Sequence, residues 1–279
     1  MTKVKLDLCV SPHFFSPQDS KTVPLLVQIV NGLLRKELDI VALTSCHTAT
    51  SGIDHRFFDY MKQLNEVAWR YNHINYNHKQ GLLEISDRDR RLLLIHTQKV
   101  RAYEGDMPAY LNIFGLGEII EPTRDITETA REAKDKGAVV LVPDPNSKSC
   151  ASLEKSLELY ESGLADGIQV SATEEYKKNQ RLIAELEKKG VKAFPSSNAK
   201  HYRDAGTSYA EMDLSTGFEL GEIGRNIRKG NFAPHYGQIN LWQRFWSRDI
   251  HIIASGPRLL IAGGKRAAEY LKVVFGRRK

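Results

Sequence analysis

Residues 125–200 carry a repeated order of helix, tight turn, apolar strand and polar loop, and that order constrains the fold more than any other feature. Asp125 to Lys136 has helical spacing with Gly137 at its carboxyl end, and leads into the strand Ala138-Val-Val-Leu-Val142 and the loop Pro143-Asp-Pro-Asn146. Ser152 to Ser162 is again helical, Gly167-Ile-Gln-Val170 is a short strand, and Glu174 to Lys189 is a charged amphipathic helix closed by Gly190. Val191 to Phe194 is then a strand that ends at Pro195-Ser-Ser-Asn-Ala-Lys200. Strands without a polar face are covered on both sides, and parallel neighbours need crossovers of the kind these helices supply.

The amino-terminal half fits the same plan. Val4, Leu6, Leu8 and Val10 alternate with Lys5, Asp7 and Cys9, the two-residue period of a strand, and Pro12 and Pro17 stop it. Thr22 to Lys36 predicts a helix, Leu38 to Leu43 a buried strand that ends in the polar loop Thr44 to Thr48, and His55 to His73 a long helix. Leu82 to Ile85 and Leu92 to Thr97 predict strands around the charged turn Ser86 to Arg91, and Tyr110 to Gly115 predicts another. The economical architecture is a parallel α/β barrel whose strand-end loops collect at one end.

A chain of 279 residues, 41% apolar and 27% charged, suits one main domain with a substantial core. We expect a barrel domain over residues 1–230 and a helical carboxyl-terminal extension over 231–279. No run of eighteen apolar residues and no apolar signal core occurs, so the expectation is a cytoplasmic protein without a transmembrane segment. Cys9, Cys46 and Cys150 have no paired metal-ligand spacing and leave one over, which points to reduced thiols. The net charge of +6 and isoelectric point near 9.1 fit an anionic partner, nucleic acid included. Ordinary solvated charge explains them as well, because runs such as Arg225 to Lys229 and Arg277 to Lys279 hold much of the excess. There is no phosphate-binding P-loop and no G-x-G-x-x-G.

Taken together, the strand ends resemble the polymerase and histidinol phosphatase (PHP) family, whose fold is a distorted (β/α)7 barrel, over residues 4 to 230. The family's D-L-H-x-H strand resembles Asp7-Leu-Cys-Val-Ser11, and its G-L-D-x-I-A-I-T-D-H-N-T resembles Leu38-Asp-Ile-Val-Ala-Leu-Thr-Ser-Cys-His-Thr48, with Gly52 beyond. Its strand ending in His-Pro is similar to Val140-Leu-Val-Pro-Asp-Pro145, its D-G-I-E-V to Asp166-Gly-Ile-Gln-Val170, and its S-D-A-H to Ser197-Asn-Ala-Lys200 followed by Gly206. The resemblance implies a site where two or three divalent ions activate a bridging water against a phosphate ester.

At those ligand positions this sequence has Cys9, Ser11, Ser45, Cys46, Asp144, Asn198 and Lys200, and Gln98 where the family carries a bridging glutamate. Amides bring no anionic charge to a metal, and a lysine ammonium has no lone pair. The resemblance therefore implies a pseudoenzyme with no metal cofactor, serving as a binding or scaffold protein for a protein partner or a phosphate-containing ligand. Lys200, with Asp144 as counterion, would occupy the former metal position. Lys200, His201 and Arg203 would make an anion-binding cleft, with Lys99 and Arg101 nearby. The alternative is a divergent phosphoesterase with one zinc or manganese ion on Cys9, Cys46 and Asp144. His13, His47 and His201 follow ligand positions by one or two residues, and a one-residue slip along a strand reverses side-chain direction, so loop histidines are their ordinary reading.

The carboxyl-terminal region carries Trp242, Phe245 and Trp246, then a last helix from Pro257 to Phe275 with Leu260, Ala267, Leu271 and Val274 at helical spacing. Such a basic amphipathic helix either packs on its own barrel or meets a partner or, peripherally, a membrane surface.

Overall fold

The computed structural model describes residues 2–10, 30–47, 73–87, 89–122, 124–145, 147, 150–172, 176–199, 204–215 and 219–237. The chain divides into two compact units, Met1–Gln238 and Ile239–Lys279, and the second lies outside the described residues. The expectations for Trp242, Phe245, Trp246 and the last helix fall there. So do those for His13, residues 55–72 and the first part of the helix expected from Thr22, of which residues 30–35 are helical.

The architecture is mixed α/β, a nearly closed barrel-like sheet with few described helices around it. The strands are β1 (Thr2–Val10), β2 (Ile40–His47), β3 (His73–Asn77), β4 (Leu82–Asp87), β5 (Arg90–Glu104), β6 (Met107–Phe114), β7 (Val139–Pro143), β8 (Gly167–Ser171), β9 (Phe194–Ser196), β10 (Tyr209–Leu214) and β11 (Ala233–His235). The described helices with assigned bounds are α1 (Ile126–Asp135), α2 (Leu153–Glu161), α3 (Tyr176–Lys188) and α4 (Leu220–Arg228). The sheet runs β11-β10-β1-β2-β5-β6-β7-β8-β9. A bridge from Val10 to Ala199, next to the end of β9, brings the circuit back to β1.

The sheet is not the all-parallel one expected. β1 with β2, β2 with β5, β7 with β8 and β8 with β9 are parallel, but β6 is antiparallel to both neighbours and β10 is antiparallel to β1. The cause is β5, whose 15 residues carry it well past Thr97, the end expected from sequence. Its first half pairs with β4 and its second half with β6, both through hairpins. The switch falls at His96, whose N–H donates to Gly81 O and whose carbonyl accepts from Gly115 N. Gly81 has φ +56°, and a Cβ there would lie 2.7 Å from Leu116 O, so only glycine fits this crossing. β2 likewise continues through Thr44 to His47, where a loop is expected, because that stretch pairs with residues 97–100 of β5.

The helix caps follow the sequence closely. Asp125 accepts from the N–H groups of Thr127 and Glu128 at the start of α1, and Ser152 from Lys155 N at the start of α2. The N-terminal N–H groups of a helix lack internal partners, so these side chains satisfy them.

Strand alternation sorts the core into an inside and an outside. Leu6, Leu8, Ile40, Ala42, Leu93, Ile95, Phe114, Leu141 and Phe194 pack together as the barrel interior. Val41, Leu43, Leu92 and Leu94 face outward against Val30, Leu33 and Leu34, while Val100, Ala102, Leu111, Ile113, Val140 and Val142 face α1 and α2. One end of the barrel is plugged by α4, whose Leu220, Ile223 and Ile227 join the interior cluster with Phe232. The helix fits because the strand ends beneath it are small: a Cβ on Gly167 would lie 2.6 Å from Ile227 Cγ2.

Candidate functional site

The carboxyl ends of the parallel strands β1, β2, β7, β8 and β9 lie at the end of the barrel opposite the α4 plug, and form its mouth. Each family-like segment of the sequence reaches this end. Side chains of Cys9, Ser45 and Cys46, and all of Ser11, Lys200, His201 and Arg203, lie outside the described residues. The backbone places Cys46 opposite Lys99 and Ser45 opposite Gln98 on the β2–β5 pair. Cys9 sits at a register shift of β1 against β2.

The described ligand positions are engaged by the protein itself. Gln98 is fully buried and belongs to the outward-facing set of β5. Its Nε2 donates to Glu118 O at 2.6 Å and its Oε1 accepts from Ile120 N at 2.9 Å. Both ends of the amide therefore hold the loop after β6, turned away from the barrel interior. Asp144, at φ +40°, accepts from Ser171 N at 2.7 Å through one carboxylate oxygen, while its own N–H donates to Gln169 O. That carboxylate continues the β7–β8 pairing beyond the last ladder bond. Asn198 lies in the loop after β9 with φ +46°. Asp7 accepts from Ser197 N and Gly206 N, which fixes this loop against β1. Asp166 is held by Lys134 through both oxygens at 2.9 Å and also accepts from Val140 N.

Inside the mouth, the interior face changes from apolar to polar one layer above the core. Asn112 Nδ2 donates to Gln169 Oε1 at 2.5 Å, and Gln169 Nε2 donates to Leu8 O at 3.3 Å, so two buried amides cross-link β6, β8 and β1. Asn112 Oδ1 is buried without a hydrogen-bond donor. Such an acceptor costs about 1–3 kcal/mol unless a further group satisfies it.

The same inward face continues along β5 and β6 as Thr97, Lys99, Arg101 and Tyr103, opposite Asn112, Tyr110 and Pro108. Lys99 Nζ lies 5.0 Å from the Tyr110 ring centroid, and the Arg101 guanidinium carbon 5.4 Å from that of Tyr103. These four side chains are half-buried. The strand pair is braced from behind: Tyr103 N donates to Arg124 O, and the Glu104 carboxylate accepts from both Ser152 N and Ser152 Oγ at 2.8 and 2.5 Å. It is therefore a fixed wall of the mouth. Apart from Lys99 and Arg101, sequence reasoning missed this row. The signal was present as the alternation of Thr97, Lys99, Arg101 and Tyr103 with Gln98, Val100 and Ala102, hidden once the strand was expected to end at Thr97.

A divalent-metal centre needs several anionic or imidazole donors on one spot. Among the described residues no group of three or more His, Cys, Asp or Glu converges in this way. The described part of the mouth offers amides, hydroxyls, the cations Lys99 and Arg101, and the Asp144 carboxylate.

No protein-family model matches the sequence, and no curated protein matches it. Among solved structures, PsfC from Pseudomonas syringae PB-5123 superposes with a TM-score of 0.56 at 12% identity, covering 97% of this chain and 100% of that one. Endonuclease Q in complex with a 27-mer duplex gives 0.49 at 13% identity, covering 84% of this chain and 58% of that one. An amidohydrolase from Chromobacterium violaceum gives 0.45 at 9% identity, covering 82% and 97%. At these identities the likeness to PsfC is one of fold alone. Among the described residues no helix is long and apolar enough to cross a membrane.

Proposed function

We propose that this chain is a PHP-like barrel that binds a phosphate-bearing or other anionic ligand at its mouth without metal-assisted hydrolysis, as a binding or scaffold protein. The observation that carries the reading is Asp144. It is the one carboxylate among the family-like ligand positions Cys9, Ser11, Cys46, Gln98, Asp144, Asn198 and Lys200, and one of its oxygens is tied to Ser171 N. Gln98, bound to the loop after β6 and facing away from the barrel interior, takes no part in the mouth. The fold likeness to PsfC supports the barrel and is silent on activity.

Lys200, His201 and Arg203, which follow β9 in the sequence, are the further cations this reading assigns to the anion, together with Lys99 and Arg101. Their side chains supply N–H donors and positive charge, which hold an oxyanion without an ion between them.

The second reading, a divergent phosphoesterase with a single zinc or manganese on Cys9, Cys46 and Asp144, draws on the adjacency of β1 and β2, although their register sets Val10 level with Leu43 and so leaves Cys46 further along the barrel than Cys9. The two readings separate on metal content of protein purified without chelator, assayed with a generic phosphomonoester and phosphodiester plus manganese. The proposal expects substoichiometric metal and no turnover. Stoichiometric metal, with turnover lost in Cys46→Ser, would establish the second reading.

A further inference from the structure

We propose that the β5–β6 wall carries a built oxyanion site in which Arg101 contacts a phosphate group of a small ligand, Lys99 flanks it and Tyr103 positions the guanidinium. The inference rests on the reading above that the mouth takes a phosphate-bearing ligand without metal, and it names the residues and ligand class.

Three observations converge on Arg101. Its Nε is buried and has no hydrogen-bond partner, so desolvation of this N–H is uncompensated within the protein. None of the ion pairs among the described residues includes it, whereas Arg91, Arg124 and Lys134 each hold a carboxylate. Its charge is instead set 5.4 Å from the Tyr103 ring, which steadies a cation without neutralising it. A guanidinium held like this presents a fixed fork of donors, the geometry that matches phosphate oxygens.

Lys99 lies two residues away on the same face, about 6.6 Å along the strand, beside Tyr110. Two long cationic side chains rooted at that backbone spacing on one face can reach one phosphate group from the same side.

The surroundings favour a compact ligand over a polymer. The reverse face of the wall is closed by Val100, Ala102, Ala109 and Leu111, all fully buried. The tip of the hairpin carries Glu104 and the exposed Asp106, whose charges oppose a polyanion running outward along the strands. Inward lie the amides of Asn112 and Gln169, with Asn112 Oδ1 free to accept from a ligand hydroxyl. The class implied is a small phosphorylated molecule whose phosphate rests at Arg101 while a hydroxyl reaches inward to Asn112.

The test is calorimetric titration of the full chain, treated with chelator, using inorganic phosphate and, separately, a twelve-residue thymidylate strand. Wild type is expected to bind phosphate without metal, Arg101→Gln to weaken it by about tenfold or more, and Arg101→Lys to fall between them because an ammonium replaces the fork. Tyr103→Leu is expected to weaken binding about three- to tenfold through the lost ring while Tyr103→Phe retains it. Arg101→Lys keeps the charge in place and carries the test should Arg101→Gln not fold.

Phosphate binding by wild type that survives in both Arg101 variants would overturn this site and leave the anion reading standing. Binding of the thymidylate strand in place of phosphate, dependent on Arg101, would overturn the small ligand. Binding of neither probe, or of phosphate only with manganese, would overturn both the site and the reading beneath it.

Discussion

At the scale of single residues, Gln98 and Asp144, two of the positions marked by the family resemblance, use their side chains for backbone hydrogen bonds. Gln98 is the clearest case, since its amide satisfies one carbonyl and one N–H of the loop after β6 in a fully buried setting. Replacing it with alanine strands both groups, and we expect urea denaturation to show a loss of about 2–4 kcal/mol, from two buried partners left unmade. Gln98→Glu places an ionised carboxylate against Glu118 O and is expected to destabilise the fold, measured the same way, with or without added manganese. Stabilisation of Gln98→Glu by manganese would instead mean that position 98 reaches a metal. The resemblance suggests position 98 as the counterpart of the family glutamate, but the orientation of Gln98 is not legible in the sequence. Orientation depends on strand register, and a one-residue change of register turns a side chain from the barrel interior to the outside. Asn112 was invisible for the same reason: nothing in Tyr110-Leu-Asn-Ile-Phe114 alone says that it meets Gln169, 57 residues on.

Elements were legible where their signals are local. The bounds of α1 and α2 follow their caps, and burial opposes ionisation of the Asp125 carboxyl while the N–H groups of Thr127 and Glu128 outweigh it and hold its pKa below the ordinary 3.8. A carboxyl with a lowered folded-state pKa adds stability that is complete above its unfolded value and disappears as pH falls through the folded one. Asp125→Ala is therefore expected to cost about 1 kcal/mol at pH 7, with the difference from wild type shrinking as the medium is acidified below the usual carboxylate range. An equal difference at every pH would show that the cap acts without its charge. The length of β5 was not legible, because a strand that changes partner at His96 breaks no local rule. β10 and β11 were missed because their pairing with β1 and with each other is long-range and their residues alternate only briefly. Nothing local in Leu220 to Arg228 says that this helix closes the barrel. Ile227→Ala should cost about 2–5 kcal/mol in denaturant unfolding, the usual range for emptying a buried aliphatic site, whereas a cost below 1 kcal/mol would show that the plug is not part of the core.

For the barrel as a whole, one end is shut by apolar side chains, and the described residues of the other end are amides, cations and the Asp144 carboxylate. The barrel itself was foreseeable from alternating helices and buried strands, and from motifs spread over residues 4 to 230. Its mixed strand direction was not, since the hairpins that make β6 antiparallel occupy the stretch where local signals are weakest. In α/β barrel enzymes the strand-end loops carry the site, so the mouth is where the proposed function is to be tested. The central claim is that the mouth holds an anion by protein groups alone. The most direct measurement is the affinity of the full chain for inorganic phosphate before and after exhaustive chelation and again with manganese restored. We predict one unchanged affinity in all three states, falling as salt is raised because charge–charge attraction is screened. Phosphate binding that vanishes on chelation and returns with manganese would contradict the account and place a metal ion at the centre of the site.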